Sequence, residues 1–250
     1  MIRVAILGYG AMGKEVERQA PSLGCEIVYI YDVEQPINEL SPTDFDVAID
    51  FTAPDVVMQN IKTLCALKRP IVIGTTGWYQ HMHDMRTMIH EAGTGCVWGS
   101  NFSLGTHLFF RLVRNAAALV NGNSDFDIMV HEYHHARKVD SPSGTAHTIA
   151  HDIMQRVDRK TAIVTETQHQ RIDAHALHLT STRGGSIVGK HIVTLDSPFE
   201  NIEIVHNAKN RSGFAQGALL AAAWIAERKG CYDVAEVIDD LEALYRSMQQ

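Results

Sequence analysis

A short apolar run, Ile2 to Leu7, passes directly into Gly8-Tyr9-Gly10-Ala11-Met12-Gly13 and then into the helical pattern KEVERQAPSLG. Strand, glycine turn and helix in this order constrain the fold more than any other feature, because so tight a handover begins a βαβ unit. Gly8 permits the turn, Gly10 lets backbone approach a pyrophosphate, and Gly13 allows the helix to pack closely on the sheet. A second strand, CEIVYIYD, ends at Asp32, 19 positions after Gly13. An acid at that distance can accept hydrogen bonds from a ribose. The same glycine turn also occurs in doubly wound sheets that bind nothing, so Asp32 is what favours a dinucleotide.

The pattern continues as strand DVAID, helix PDVVMQNIKTLCALK, strand PIVIGTTG, helix WYQHMHDMRTMIHEA and strand GCVWGSNFS. This alternation predicts a parallel sheet with helices on both faces. Ligands of open α/β sheets sit beyond the carboxyl ends of the strands, so Gly74-Thr75-Thr76-Gly77 and Gly99-Ser100-Asn101-Phe102 are expected to line the nicotinamide half of a cofactor site. Each is also an ordinary turn sequence. After residue 103 the rhythm changes: helix SLGTHLFFRLVRNAAALV, strand DFDIMV, helix AHTIAHDIMQRV, then strand-like runs at about 174–181, 186–195 and 200–206. Successive strands without intervening helices suggest an open mixed sheet. From Arg211 the chain is helical again in GFAQGALLAAAWIAERKG and YDVAEVIDDLEALYRSM. The expected fold class is therefore α/β, an N-terminal Rossmann-type parallel sheet plus a second α+β domain with an open mixed sheet. The first domain is discontinuous, residues 1–103 and 212–250, and residues 104–211 form the second.

With 250 residues and 45% hydrophobic content, the chain can bury a core for two moderate domains. A formal charge of −7 and the lack of any basic run argue against nucleic acid or an anionic membrane as partner. The cysteines at 25, 65, 96 and 231 form no C-x-x-C pair and read as ordinary thiols of a reducing compartment, with the cytoplasm as the expected location. Neither a signal peptide nor a membrane span is evident.

The segment His131–Ala146, HEYHHARKVDSPSGTA, places imidazoles, an ammonium and a helix start within one connection. His134 and His135 end a strand-like run, Lys138 follows, and Ser141-Pro142-Ser143-Gly144 breaks the strand before Thr145 opens a helix. Unpaired N–H groups at such a helix start, with the helix dipole, suit a carboxylate or phosphate. The plain alternative is a solvated loop with an N-cap. His131, Glu132 and His135 also spell H-E-x-x-H, a zinc-protease signature that works only on a helix. On a strand the two histidines would lie about 13 Å apart at roughly 3.3 Å per residue, too far to share an ion, so no metal site is expected.

Over nearly its whole length the sequence resembles the 4-hydroxy-tetrahydrodipicolinate (dihydrodipicolinate) reductase family. The resemblance is carried by the glycine loop, DFTAPD, VIGTTG, NFSLG, EYHHARKVDSPSGTA, RGGSIVGKH and IEIVHNAKNRSGFAQGALLAAAWI, with H-H-x-x-K-x-D-x-P-S-G-T the most specific. It implies NADH- or NADPH-dependent reduction of a cyclic unsaturated dicarboxylate in lysine and diaminopimelate biosynthesis, by a homotetramer. It further implies His134 as general acid, Lys138 as second proton donor, and His135, Gly144 and Thr145 as substrate-holding positions. For the cofactor it implies Gly8, Tyr9, Gly10, Ala11, Met12, Gly13, Asp32, Gly74, Thr75, Thr76, Gly99, Ser100, Asn101 and Phe102. Many members carry an arginine before the loop methionine and a basic residue after the second-strand acid; this chain has Ala11 and Val33. A 2′-phosphate would lack its partners and be repelled by Asp32, so NADH is expected to be preferred, with NADPH possible. Other readings are a different two-domain nicotinamide dehydrogenase acting on an amino or imino acid, or a dinucleotide-binding sensor without catalysis. The first is disfavoured by the HHARKVDSPSGT block, and the second has no need of both His134 and Lys138.

Overall fold

A computed structural model describes residues 1–249, and the chain divides into two units. Unit 1 comprises Met1–Leu104 and the segment from Arg211 onward; unit 2 is Gly105–Asn210. Among the described residues no helix is long and apolar enough to cross a membrane.

Unit 1 is built on six parallel strands: β1 (Ile2–Leu7), β2 (Cys25–Tyr31), β3 (Val47–Asp50), β4 (Ile71–Ile73), β5 (Gly95–Trp98) and β11 (Gly230–Asp233), in the order β11-β5-β4-β3-β1-β2. Helices α1 (Ala11–Gln19), α2 (Val57–Ala66), α3 (Met82–Ala92), α6 (Ser212–Ile225) and α7 (Val234–Ser247) complete it. The strands are largely apolar because both faces are covered, with Arg3, Glu26, Asp50 and Asp233 as the charged exceptions. Val4 and Ile6 of β1 join a core with α1, α6 and α7, while Ala5 and Leu7 point into another with α2 and α3. Strand order reverses between β1 and β3, which creates a crevice at their carboxyl ends. The parallel sheet and its helices match the expectation. The structure differs at residues 230–233, where the sequence reading has one helical run end at Gly230 and the next begin at Tyr232 but the chain forms a sixth parallel strand. Four residues are too few to show a strand period, and the helix signal of the capping box at Asp233 and Glu236 begins where the strand stops.

Unit 2 contains α4 (Leu104–Asn121, whose first residue belongs to unit 1), β6 (Asp127–His134), α5 (Gly144–Met154), β7 (Ala162–Val164), β8 (Ala176–Arg183), β9 (Gly189–Asp196) and β10 (Asn201–Ala208). The sheet order is β10-β9-β6-β8-β7, antiparallel across β10, β9 and β6 and parallel across β6, β8 and β7, so the sheet is mixed. The short β7 had no clear signal in the sequence. Ile128 and Val130 of β6 pack with Leu177, Leu179 and Val193 beneath α4 and α5. Lys160, almost wholly enclosed, donates to the carbonyls of Ala174 and Ala176 and pairs with Asp127 at 2.6 Å, which ties the start of β6 to the approach to β8.

Close packing of α6 depends on its small residues. A Cβ added at Gly217 would stand 1.7 Å from the carbonyl oxygen of Phe102, a backbone atom that cannot step aside. Gly217→Ala should therefore cost about 2–3 kcal/mol through overpacking. At Gly122 a Cβ would meet nothing within 4 Å, so Gly122→Ala is the matched control. Thermal melting of the two variants checks this: a clear drop is expected for the first and almost none for the second.

Candidate active site

In unit 1 the glycine turn is shaped by three steric requirements. Gly8 has φ +90°, and a Cβ there would strike the Phe51 carbonyl at 2.4 Å. At Gly13 a Cβ would lie 2.2 Å from the Gly8 carbonyl, so this glycine closes helix onto turn. Gly10 is the N-cap of α1 and supplies no side-chain cap, while a Cβ there would point into open space. The first-turn N–H groups of α1 thus lack an internal side-chain acceptor, and an anion fits them. Ala11 is exposed beside them, whereas Met12 turns partly into the core.

Next to the turn lies a groove of about 750 Å³ lined by Gly8, Tyr9, Gly10, Asp32 and Thr52, among others. Asp32 Oδ1 accepts from the backbone N–H groups of Glu34 and Gln35, which fixes the carboxylate at the rim. Glu34 and Asp55 also line the groove, and none of its lining residues is a Lys or Arg. Val33 is 97% exposed. Lys14 lies over the Tyr9 ring, and Arg3 is paired with Asp44 at 2.9 Å.

Sequence reasoning missed Asp50. Fully buried at the end of β3, its carboxylate accepts from the Thr52 N–H and hydroxyl, the Thr75 hydroxyl and the Asn60 amide. Four donors compensate its burial and tie the ends of β3 and β4 to α2. The Thr75 side chain is thereby turned inward, while Thr76 is exposed. Gly74 makes room for the Phe51 ring, and Gly99 for Val234. Asn101 accepts from the Ser103 N–H, Ser100 is exposed, and the Phe102 ring belongs to the core, so Phe102 can meet a ligand only through its backbone.

In unit 2 the chemistry is grouped on one face of one sheet. Alternation along β6 sends Ile128, Val130, Glu132 and His134 to the same side, so a core face becomes polar at its end. Strand register then sets His206, His191, Glu132 and Ser181 in a row across β10, β9, β6 and β8, with Arg183 opposite His134. Glu132 is fully buried. Its Oε1 accepts from the Ser143 N–H at 2.8 Å, the Ser181 hydroxyl at 2.9 Å and Arg183 Nη2 at 2.7 Å, and its Oε2 accepts from the Ser143 hydroxyl. His134 Nδ1 and His191 Nε2 each lie 3.4 Å from Oε2. Burial pushes Glu132 upward, but hydrogen bonds from His191, Ser143 and Arg183 outweigh it and hold the carboxyl well below its usual range. Burial drives His134 down to about 4 against the pull of Glu132, with His191, Lys138 and Arg183 adding to the fall.

Ser143 N-caps α5 by accepting from the Ala146 N–H, which places Gly144 and Thr145 in the first turn. Lys138 pairs with Asp140 at 2.7 Å, and Arg183 also donates to the Asp140 carbonyl, fastening the loop to β8. Asp140 is pushed up by partial burial but lowered overall by the Lys138 hydrogen bond and charge and by the Gly144 backbone. His135, Lys138 and Thr145 are half-buried, and Gly144 is exposed. The structure thus brings His134, Lys138, Gly144 and Thr145 into one strand end, loop and helix start. Glu132, Ser143, Arg183 and His191 were not assigned from the sequence. A usable signal existed: an acid two positions before His134 on an otherwise apolar strand face.

His131 is on the opposite face of β6 from Glu132, where it contacts Thr180 at 2.5 Å and the Tyr133 ring. A different trio, Glu132, His134 and His191, has ligand atoms within 4.8 Å of one another. The Arg183 guanidinium on the same carboxylate opposes a cation there, and three of the carboxylate's acceptor directions are already filled at Oε1.

Two family models match the chain: "Dihydrodipicolinate reductase, N-terminus" over residues 2–102 and "Dihydrodipicolinate reductase, C-terminus" over residues 105–238. A 4-hydroxy-tetrahydrodipicolinate reductase of Christiangramia forsetii is 35% identical over 241 residues, covering 96% of this chain and 99% of its own. The enzyme of that name from Methanoregula boonei is 36% identical over 217 residues, 86% of this chain and 82% of its own. Among solved structures, a dipicolinate-bound dihydrodipicolinate reductase from Paenisporosarcina sp. TG-14 shares the fold, with TM-score 0.73, 23% identity and coverage of 95% and 99% of the two chains.

Elemental analysis of purified protein checks the electrostatic argument about the Glu132 trio. Far less than one zinc per chain is expected, with activity unchanged by EDTA, because a guanidinium already neutralises the carboxylate. One tightly held zinc per chain would mean that Arg183 leaves Glu132 when the metal enters.

Proposed function

The chain belongs to the dihydrodipicolinate reductase family, and on that premise we propose that it reduces 4-hydroxy-tetrahydrodipicolinate to tetrahydrodipicolinate with NAD(P)H, a step toward diaminopimelate and lysine. The supporting observation is the grouping of His134, Lys138, Gly144 and Thr145 at the polar end of the unit 2 sheet. The nicotinamide supplies a hydride to a conjugated C=N system, and the electron density that results must be protonated. At neutral pH the His134 imidazole is uncharged; a dianionic substrate beside it favours the protonated, donating form. Lys138 can neutralise a substrate carboxylate and serve as second donor. The Thr145 N–H and hydroxyl, and the Gly144 N–H once the substrate displaces the Asp140 carboxylate from it, can take a carboxylate at the start of α5, and His135 stands beside them on the loop.

For the cofactor, the α1 N-terminus suits the pyrophosphate and Asp32 the adenosine ribose, and the loops at Gly74–Thr76 and Gly99–Phe102 suit the nicotinamide half. NADH preference is supported by three carboxylates and no Lys or Arg in the groove lining. Assembly as a homotetramer is supported by the half-buried or exposed Met129, His131 and Tyr133 on the face of β6 away from the unit 2 core. A cytoplasmic location is supported by four free cysteines.

An assay with freshly prepared substrate and the fall of NADH absorbance tests the reading as a whole. His134→Gln and Lys138→Ala should each lower turnover by about 10² or more with NADH binding nearly intact. Thr145→Val should raise KM instead, since it deletes one carboxylate donor. Full turnover in both of the first two variants would refute the assignment of donors.

Paired kinetics test the cofactor. The kcat/KM for NADH should exceed that for NADPH by roughly tenfold, equivalent to about 1.4 kcal/mol. Val33→Arg should shift the ratio toward NADPH by placing a cation beside the 2′ position. Equal use of both cofactors by the unsubstituted protein would remove Asp32 as the discriminating charge.

A further inference from the structure

We propose that Glu132 is a positioning residue: its Oε2 takes the Nδ1–H of His134 and thereby leaves Nε2 as the nitrogen that exchanges protons with substrate. The proposal rests on His134 as proton donor and assigns the group that prepares it.

The two oxygens of Glu132 are used unequally. Three donors fill Oε1: the Ser143 N–H, the Ser181 hydroxyl and Arg183. These anchor the carboxylate to the α5 cap and to β8. Oε2 takes the Ser143 hydroxyl and faces both His134 Nδ1 and His191 Nε2 at 3.4 Å. His134 Nδ1 is buried and makes no hydrogen bond in this state, so a small ring rotation onto Oε2 would satisfy a group that otherwise costs free energy. The other ring nitrogen has been left clear. A Cβ at Gly189 would stand 3.0 Å from Nε2 and 3.4 Å from Cδ2, so glycine on the neighbouring strand keeps that edge unobstructed.

The surrounding charges make Glu132 decisive. Facing His134 are Arg183 from β8, His191 from β9 and Lys138 from the loop, all of which disfavour an imidazolium; Glu132 on its own strand is the group that favours one. In the step itself the Nε2–H bond breaks as a C–H bond forms on the reduced ring, and the electron pair returns to Nε2. Nδ1–H stays on the carboxylate throughout, which fixes ring and tautomer in the way an acid commonly fixes a catalytic imidazole. A purely structural Glu132, serving only the α5 cap and Arg183, would have no effect on the tautomer.

Nitrogen-15 NMR of the histidine rings in the full chain reads this directly. Neutral His134 should carry its proton on Nδ1 and titrate near pH 4. Glu132→Gln should lower that midpoint by about one pH unit, cut kcat roughly thirtyfold and leave KM within about threefold. Glu132→Asp, which keeps the charge, should recover part of the loss. A proton on Nε2 of neutral His134 in the unsubstituted protein overturns the proposal, whether or not any variant folds. So does a Glu132→Gln enzyme whose defect lies wholly in KM or thermal stability. Should His134→Gln retain full turnover while tautomer and midpoint behave as stated, Glu132 still orients the ring, and it is the proton-donor reading that fails.

Discussion

Unit 2 is organised around one buried negative charge. A carboxylate without solvent is tolerated only when its lone pairs are met, and Glu132 meets them with three groups from two separate elements: Ser143 from the α5 cap, and Ser181 and Arg183 from β8. Each of those contacts places something else. Ser143 sets where α5 begins, and so where Gly144 and Thr145 present their N–H groups. Arg183 reaches on to the Asp140 carbonyl and fastens the loop that carries Lys138. Helix start, ammonium and imidazole are therefore held relative to one another by a group that none of them contains.

Unit 1 repeats this logic with a carboxylate that lacks a cationic partner. Asp50 is satisfied by hydroxyls, an amide and a backbone N–H, all from the loops after β3 and β4 and from α2. Neutral donors hold the loops without placing positive charge near the groove, and its rim remains acidic through Asp32, Glu34 and Asp55. Rigid loops and an acidic rim thus come from one choice of residue types.

Much of this could be read from the sequence, and the reasons differ by element. The parallel sheet was legible because β1, β3 and β4 are continuous apolar runs separated by helical periods. The glycine turn was legible because three steric needs coincide within six residues. The strands β7 and β11 were not, being too short for any period to emerge. At the site, His134 and Lys138 stood out as residue types that suit proton transfer. Glu132 and His191 belong to different strands, and their meeting depends on register, which a single sequence does not display. The H-E-x-x-H signature needs a helix, whereas His131 and Glu132 lie on strand β6 and face opposite ways.

Unit 1 is an interrupted structure, and this governs the order in which it can be made. Its core draws Ala215, Ala218, Leu219, Ala222 and Ile225 from α6 and Val237 and Leu241 from α7 against Val4, Ile6, Val47 and Ile49. During synthesis all of unit 2 is complete before any residue of α6 emerges. Residues 105–210 can close on themselves while the sheet before them still exposes one apolar face and lacks its sixth strand. The apolar face of the first sheet that α6 and α7 cover therefore stays open until those helices are made, after the whole of unit 2.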